Sequence, residues 1–318
     1  MLRYTLVRVL WLVPVLICVS FIMYALMDLA PGTIIDTMMT DEMTQEDIET
    51  LRVQFDLDKP MIYRYVKYMW GLVRGDLGTS YITKVSVWET YLSRFPNTLM
   101  LAFSGLVLGV LLAIPLGIYA AKHAGTILDN LTTAFSLIGI SMPPFWVGLV
   151  LLIMFANKIR LFPAGYNGTL AGFVLPSITC GLAMASTTMR QTRSAMLEVM
   201  RQDYVRTARA KGVPERQVTA KHMLRNAWIP VITTIGMMLS HQLAGAAIIE
   251  AVYSWPGVGR LTIEAVSRRD VPLAAGCVIL TTITYVIMLL LVDLTYALVD
   301  PRIKVSYAPA RKKGRTAA

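Results

Sequence analysis

Few side chains in this 318-residue sequence could carry out chemistry unaided, and their spacing argues against most reactions. There are three histidines, His123, His222 and His241, and three cysteines, Cys18, Cys180 and Cys277. No H-E-x-x-H pair and no metal-spaced Cys/His cluster occurs, so no metal ligand set is expected. The cysteines lie inside apolar runs, far from any C-x-x-C spacing, and read as lipid-facing or packing residues. No Gly-Lys dipeptide occurs, which excludes the G-x-x-x-x-G-K-[ST] loop that cradles nucleotide phosphates. What remains are polar groups inside apolar stretches: His241 beside Gln242, then Glu250, and Asp293. An ionisable group in hydrocarbon costs several kcal/mol unless it faces protein or water. His241 and Gln242 are therefore candidates to line a pathway, the plainer alternative being a hydrogen bond to a neighbouring helix. Asp293, near the inner boundary, calls for a backbone donor or a cation from a partner subunit. Ser240 adjoins His241, but successive helical residues point apart, so the two make no nucleophile pair.

The elements that hold these groups are membrane spans. Hydrophobic residues make up 55% of the chain and charged residues 16%, with mean hydropathy +0.56. Soluble domains carry about 45–50% apolar and about 25% charged residues. A span needs roughly 20 mostly apolar residues. Six stretches qualify, near 9–29, 98–121, 131–156, 169–189, 230–252 and 274–299. Pro14, Pro115, the Pro143-Pro144 pair and Pro176 fall inside them, as membrane helices tolerate. Arg3 and Arg8 ahead of the first run resemble a signal peptide. The run is long and no small-x-small site closes it, which favours an uncleaved anchor.

The net charge of +10 would suggest nucleic acid in a soluble protein, so its placement matters. With the N-terminus inside, the inner segments hold 18 of the 30 cations, nine of them in 190–229 and six after residue 300. Segment 30–97 carries seven cations against ten acidic residues. The positive-inside rule then sets both termini in the cytoplasm. The chain divides into 1–29, a periplasmic or extracellular loop 30–97, a five-helix core 98–300 containing loop 190–229, and a basic tail 301–318.

Two loops are more than connectors. In 30–97, Thr44 and Asp47 approximate a capping box. The run Y-R-Y-V-K-Y-M-W-G-L-V interleaves aromatics and cations, as an interfacial helix does. A cap lying on the bilayer and a docking site for a receptor are compatible readings. In 190–229, Gln191–Lys211 reads as a helix with Ala195, Met196 and Val199 on one side and arginines on the other. Gly212 is a natural left-handed C′ residue, and Pro214 opens a second helix over about 214–229. Helix–Gly–helix with arginines could be a DNA reader, but tethering both ends to a bilayer argues against nucleic acid. A solvated basic loop explains the charge alone. Docking of a cytoplasmic partner also explains the turn chemistry and the apolar stripes.

The stretch Y-V-R-T-A-R-A-K-G…H-M-L-R-N-A-W-I-P (204–230) resembles the cytoplasmic EAA loop of permeases from binding-protein-dependent ABC importers, dipeptide/oligopeptide/nickel branch. Further blocks follow in the expected order: F-D-L-D-K-P (55–60), R-G-D-L-G-T-S (74–80), R-F-P-N-T-L (94–99), S-M-P-P-F-W-V-G (141–148), Y-S-W-P-G-V-G-R-L (253–261) and D-L-T-Y-A-L-V-D-P-R (293–302). With Gly212 as the motif glycine, the E-A-A positions fall on Arg206, Thr207 and Ala208. Only Ala208 keeps the family letter, and Pro230 comes about five residues late, so exact contacts do not transfer from sugar-importer relatives.

The resemblance implies an all-α, six-span, type I ABC importer permease fold in the bacterial inner membrane. It implies a non-catalytic chain without cofactors, whose partners are a second homologous permease, two ABC ATPase subunits that bind ATP and Mg, and an extracytoplasmic substrate-binding protein. Tyr204, Arg206, Thr207, Ala208, Arg209 and Gly212 would form the coupling helix that meets the ATPase. Trp255 and Gly257 would belong to an external loop that either reaches the binding protein or makes a tight re-entrant turn, with Gly257 and Gly259 supplying φ freedom. The cargo expected from the branch is a di- or oligopeptide, with nickel complexes, glutathione and oligosaccharides as alternatives. A self-contained secondary transporter would show inverted repeats and broken mid-membrane helices. No internal repeat is evident here.

Overall fold

The computed structural model describes residues 2–39 and 43–299; the basic tail 301–318, and Asp300, Pro301 and Arg302 of the last block, lie outside them. Among the described residues there are helices and no named strand. Helix α1 (Leu2–Leu29) leads to a cap built from α2 (Ile34–Met38), α3 (Gln45–Gln54) and α4 (Met61–Val73). Then come α5 (Val87–Lys122), α6 (Ile127–Ser141), α7 (Pro144–Leu151, widening into π-turns over Leu152–Lys158) and α8 (Leu170–Met200). Short α9 (Asp203–Ala210) and α10 (Glu215–Gln217, followed by π-turns Val218–Leu224) precede α11 (Arg225–Gly245), α12 (Ala247–Val252), α13 (Val258–Ser267) and α14 (Val271–Val299).

Four helices, α1, α5, α8 and α14, are each long and apolar enough to cross a membrane. The expected span 131–156 is α6 and α7 together, bent by 101°. Pro143 and Pro144 cause the bend, because a residue before proline is pushed out of the helical region. The stretch 230–252 is not one helix but α11 and α12, which meet at Ala246. Two boundaries also move. α5 starts at Val87, inside the expected loop, and α8 continues to Met200, eleven residues past the expected end. At 1.5 Å per residue these helices are about 54 and 46 Å long, well beyond the ~30 Å hydrocarbon thickness.

Between apolar helices in an apolar solvent, close packing and not hydrophobicity must hold the contact, so small residues lie where backbones approach. The α5–α8 seam shows this. A Cβ at Gly105 would lie 2.6 Å from Cys180 Cβ, and one at Gly117 would lie 2.7 Å from Thr192 Cβ. Gly109 faces Met184 and Gly181 at 3.0–3.1 Å. Gly139 seats α6 on Ser186 of α8, and Gly236 seats α11 on Val292 of α14. Where α6 starts, Asp129 is buried and takes a bidentate ion pair from Arg193 of α8 at 2.5 and 2.7 Å, plus the Gly125 N–H at 2.9 Å. Asp293 of α14 is paired with Arg8 of α1 at 2.6 Å, so its cation is in this chain.

The cap has its own apolar centre of Ile34, Ile35 and Phe55. Thr44 starts α3 as expected: its hydroxyl accepts from Asp47 N (3.3 Å) and Asp47 accepts from Thr44 N (2.9 Å). The two sequence blocks here are structural. Asp56, at φ +55, holds Lys67 at 2.5 Å, and Ser80 donates to Asp270 Oδ2 at 2.5 Å, tying the cap to the start of α14.

Candidate functional site

Helix α9 forms where Asp203 supplies negative charge to the first turn and Arg209 positive charge to the last. Its buried face is Val205 and Ala208, which pack with Ala121 of α5, Ala195, Met196 and Val199 of α8, and Val218, Met223, Ala227 and Val231 on the return path. The single expected helix Gln191–Lys211 is therefore two. Met196 and Val199 belong to the end of α8, and the chain turns at Arg201-Gln202, Gln202 being extended. The turn brings Val205 under the ends of α5, α8 and α11, and burying a valine contributes about 1.5–3 kcal/mol.

The other face of α9 is polar and open. The Arg206 side chain is 76% exposed and only loosely paired with Asp203, at 3.9 Å. Tyr204 is exposed, and burial of part of its ring raises its pKa while a hydrogen bond with Asn226 opposes the rise. Thr207 Oγ1 donates to Asp203 O at 2.9 Å. Gly212 sits at φ +73 with nothing near its missing Cβ, as its expected C′ role requires, and its N–H donates to Arg209 O at 2.9 Å. Pro214 flanks the next helix instead of opening it, with ψ 138. Arg209 makes a two-point pair with Glu215 at 2.8 and 3.1 Å, which closes the loop and holds the Glu215 carboxyl below the usual range. So Tyr204 and Arg206 project, Arg209 is partly engaged in the loop, and Ala208 is core.

At the far end, two of the sequence blocks dock on each other. Asn97 Nδ2 donates to Pro256 O (2.9 Å), and Trp255 Nε1 donates back to Asn97 O (3.0 Å). Thr98 Oγ1 donates to Glu250 Oε1 (2.7 Å) and accepts from Val258 N (2.8 Å). Glu250 Oε2 accepts from Arg260 N (2.9 Å), so this buried carboxylate caps the start of α13. Trp255 is fully enclosed against Tyr166 and Phe173. It is not an external contact residue, because its ring and its N–H are both used inside the chain. The tight re-entrant turn is the arrangement found.

The glycines there serve a different purpose from the one expected. Gly257 is extended (φ −97, ψ −179) and Gly259 has no positive φ, so neither supplies unusual backbone freedom. A Cβ at Gly257 would instead collide with the Glu250 carboxylate, and one at Gly259 with the Ala247 backbone.

His241 and Gln242 part company. His241 is exposed and lines a cavity of about 360 Å³ with Thr98, Glu250, Thr281, Thr282 and Tyr285, its ring edge-on to Tyr285 at 6.1 Å. Gln242 points at α8, where Nε2 donates to Cys180 O at 3.2 Å, so it is an interhelical tie. The cavity and the Glu250–Thr98 pairing are not legible in the sequence. The adjacency of Asn97-Thr98 to a proline in one block and the spacing of Glu250 from Gly257 in another gave no hint that the two meet. A larger cavity of about 700 Å³ lies between the cap, the end of α1 and the start of α14. Its charges are largely paired with one another, Arg64 with Asp28, Lys67 with Asp56 and Arg52 with Glu49. No cluster able to hold a metal ion exists among the described residues.

Four long apolar helices and the bent pair α6–α7 make this a bundle built to cross a membrane. The chain belongs to the family of binding-protein-dependent transport system inner membrane components, whose profile matches residues 113–305. The N-terminal profile of such membrane components matches residues 1–102. The chain is 35% identical over 315 residues to the oligopeptide transport system permease protein AppB of Bacillus subtilis (96% of this chain, 100% of that one). It is 35% identical over 336 residues to the dipeptide transport system permease protein DppB of Escherichia coli K12 (96% and 99%). It is 36% identical over 304 residues to the glutathione transport system permease protein GsiC of Salmonella typhimurium LT2 (96% and 99%). A chain of the inward-facing MetNI methionine ABC transporter shares the fold, with TM-score 0.54 and 20% identity over 74% of this chain and 98% of that one. A second MetNI crystal form gives 0.56 and 18%, covering 66% and 96%.

Proposed function

We propose that this chain is one of two permease subunits lining the path of an ATP-driven peptide importer, with α9 as the helix that docks on the ATPase. The observation that carries this is α9 itself, an eight-residue helix with Val205 and Ala208 in the core and Tyr204 and Arg206 projecting from the bundle. In this reading the α9 end is cytoplasmic and the cap extracytoplasmic, α11–α12 completes six spans, and both termini face the cytoplasm. ATP and Mg belong to the two ATPase partners, and a binding protein delivers cargo on the cap side. His241 lines the path. Di- or oligopeptides suit the names of the AppB and DppB relatives, and the name of GsiC adds glutathione.

ATP-driven closure of the ATPases would displace α9 and, through its shared core with α5, α8 and α11, the ends of those helices. A nucleotide shifts such an equilibrium only by its differential affinity for the two states. The test is reconstitution of the co-purified complex with its binding protein in liposomes. Uptake should require ATP. Gly212→Pro removes the N–H donated to Arg209 and forbids φ +73, and should abolish uptake while the subunits still co-purify. Uptake by the lone chain without ATP would overturn the reading.

A further inference from the structure

Helix α4 has two apolar faces, and only one is used inside the chain. On the inner face Tyr65 Oη donates to Ile17 O at 3.0 Å and lies 3.1 Å from Ser20 Oγ, while Tyr65 and Tyr68 pack on Tyr24 of α1. On the outer face Ile62, Val66, Trp70 and Val73 follow one helical stripe, and all are exposed, Val73 by 77%. Four large apolar side chains aligned on one helix face form a patch that water does not tolerate cheaply.

Depth along α1 tells what covers this stripe. Tyr24 and Ser20, which α4 touches, precede the end of α1 at Leu29 by five and nine residues. At 1.5 Å per residue that places the crossing about 8–14 Å below the end of a membrane span. An interfacial helix buries its apolar face about 5–10 Å into the headgroup/acyl boundary. The stripe is also continuous with the outward surface of α1: Phe21, edge-on to Tyr65 at 5.4 Å, is itself exposed, as are Ile22 and Leu26. The Arg74 guanidinium lies over the Trp70 ring at 4.7 Å, a cation–aromatic pair at the helix end suited to the headgroup level.

We infer that α4 is embedded in the cap-side leaflet, its Ile62–Val66–Trp70–Val73 stripe covered by phospholipid acyl chains. The cap thus does not stand clear of the bilayer but is moored in it beside α1. The same crossing leaves Lys67 directed to Asp56 on the cap side of the helix, away from the stripe.

Site-directed spin labelling of the whole complex in lipid nanodiscs tests this. Cys180 and Cys277 are buried, so Cys18→Ser alone clears the exposed thiols of this chain, and the partner subunits are used in cysteine-free form. Labels are then placed by Val66→Cys or Val73→Cys, with Glu49→Cys on α3 as a water-facing reference. The expected result is collision with dissolved oxygen severalfold above collision with a water-soluble nickel chelate at 66 and 73, and the reverse at 49. Preferential collision with the nickel chelate at 66 and 73 overturns the inference in favour of a solvated face. Protection from both probes overturns it in favour of a protein partner on the stripe. Should labelling at 66 or 73 disturb assembly, Trp70 fluorescence in the unlabelled complex gives a second measurement. Lipids brominated near the headgroup should quench a component that disappears in Trp70→Phe, and a quenching profile unchanged by that substitution overturns the inference.

Discussion

Gly257→Ala is the sharpest perturbation available. The backbone at 257 is extended and open to any residue, so strain is not at issue. The added methyl would occupy the space of the Glu250 carboxylate. That group cannot move without releasing the Thr98 hydroxyl at 2.7 Å in a buried site and the Arg260 N–H at 2.9 Å in a partly buried one. A buried donor left unpaired costs about 1–3 kcal/mol and a partly buried one less, so losing the two costs about 1–4 kcal/mol. The assay is unfolding of the detergent-purified complex as a double-mutant cycle with Glu250→Ala. Glu250→Ala alone should cost a comparable amount, since it removes the same bonds. With the carboxylate absent, Gly257→Ala should add less than about 1 kcal/mol, a non-additivity of the size seen between residues in contact. Costs that add to within about 0.5 kcal/mol would refute the steric explanation.

Two further expectations concern the α9 end. Asp129→Asn should destabilise the complex by about 2–4 kcal/mol in the same unfolding assay, somewhat under the usual cost of breaking a buried ion pair, because Arg193 keeps 27% of its side chain exposed. The Arg209–Glu215 pair is exposed and worth about 0.2–1 kcal/mol. Because the Glu215 carboxyl is held below its ordinary value, the pair is complete above the ordinary glutamate pKa of about 4.3 and is lost only as pH falls through the lowered value. Amide exchange at Val213 should therefore show no step attributable to this pair between about pH 6 and 8, and Glu215→Gln should raise it modestly across that range.

Much of the architecture was legible in the sequence because apolar length and charge placement are local properties. The runs that became α1, α5, α8 and α14 needed no tertiary knowledge, and neither did the Thr44 cap or the left-handed Gly212. Errors arose where a distant contact decides. The Pro143-Pro144 pair reads the same in a kinked span as in one folded by 101°. The reach of α8 to Met200 depends on Ala195, Met196 and Val199 finding Val205 and Ala121, and periodicity alone ran them into one helix with α9. Trp255 was open to an external contact in the sequence, yet its indole N–H is taken by Asn97 O, 158 positions away. Gly257 and Gly259 were read through backbone freedom, the commoner role of glycine, when the carboxylate and backbone opposite them are what forbid a side chain. His241 and Gln242 show the reverse: adjacency grouped them, and the 3.6-residue period separates them onto a cavity and a neighbouring helix.

The unbroken α8 also restricts how the length of this chain can vary. One residue inserted into its middle would turn everything beyond by about 100° and advance it by 1.5 Å. Cys180, Met184 and Thr192 would then no longer all meet the glycines of α5, and Arg193 would swing away from Asp129. Insertions and deletions should therefore be tolerated only outside α8, in connecting segments that carry no such register.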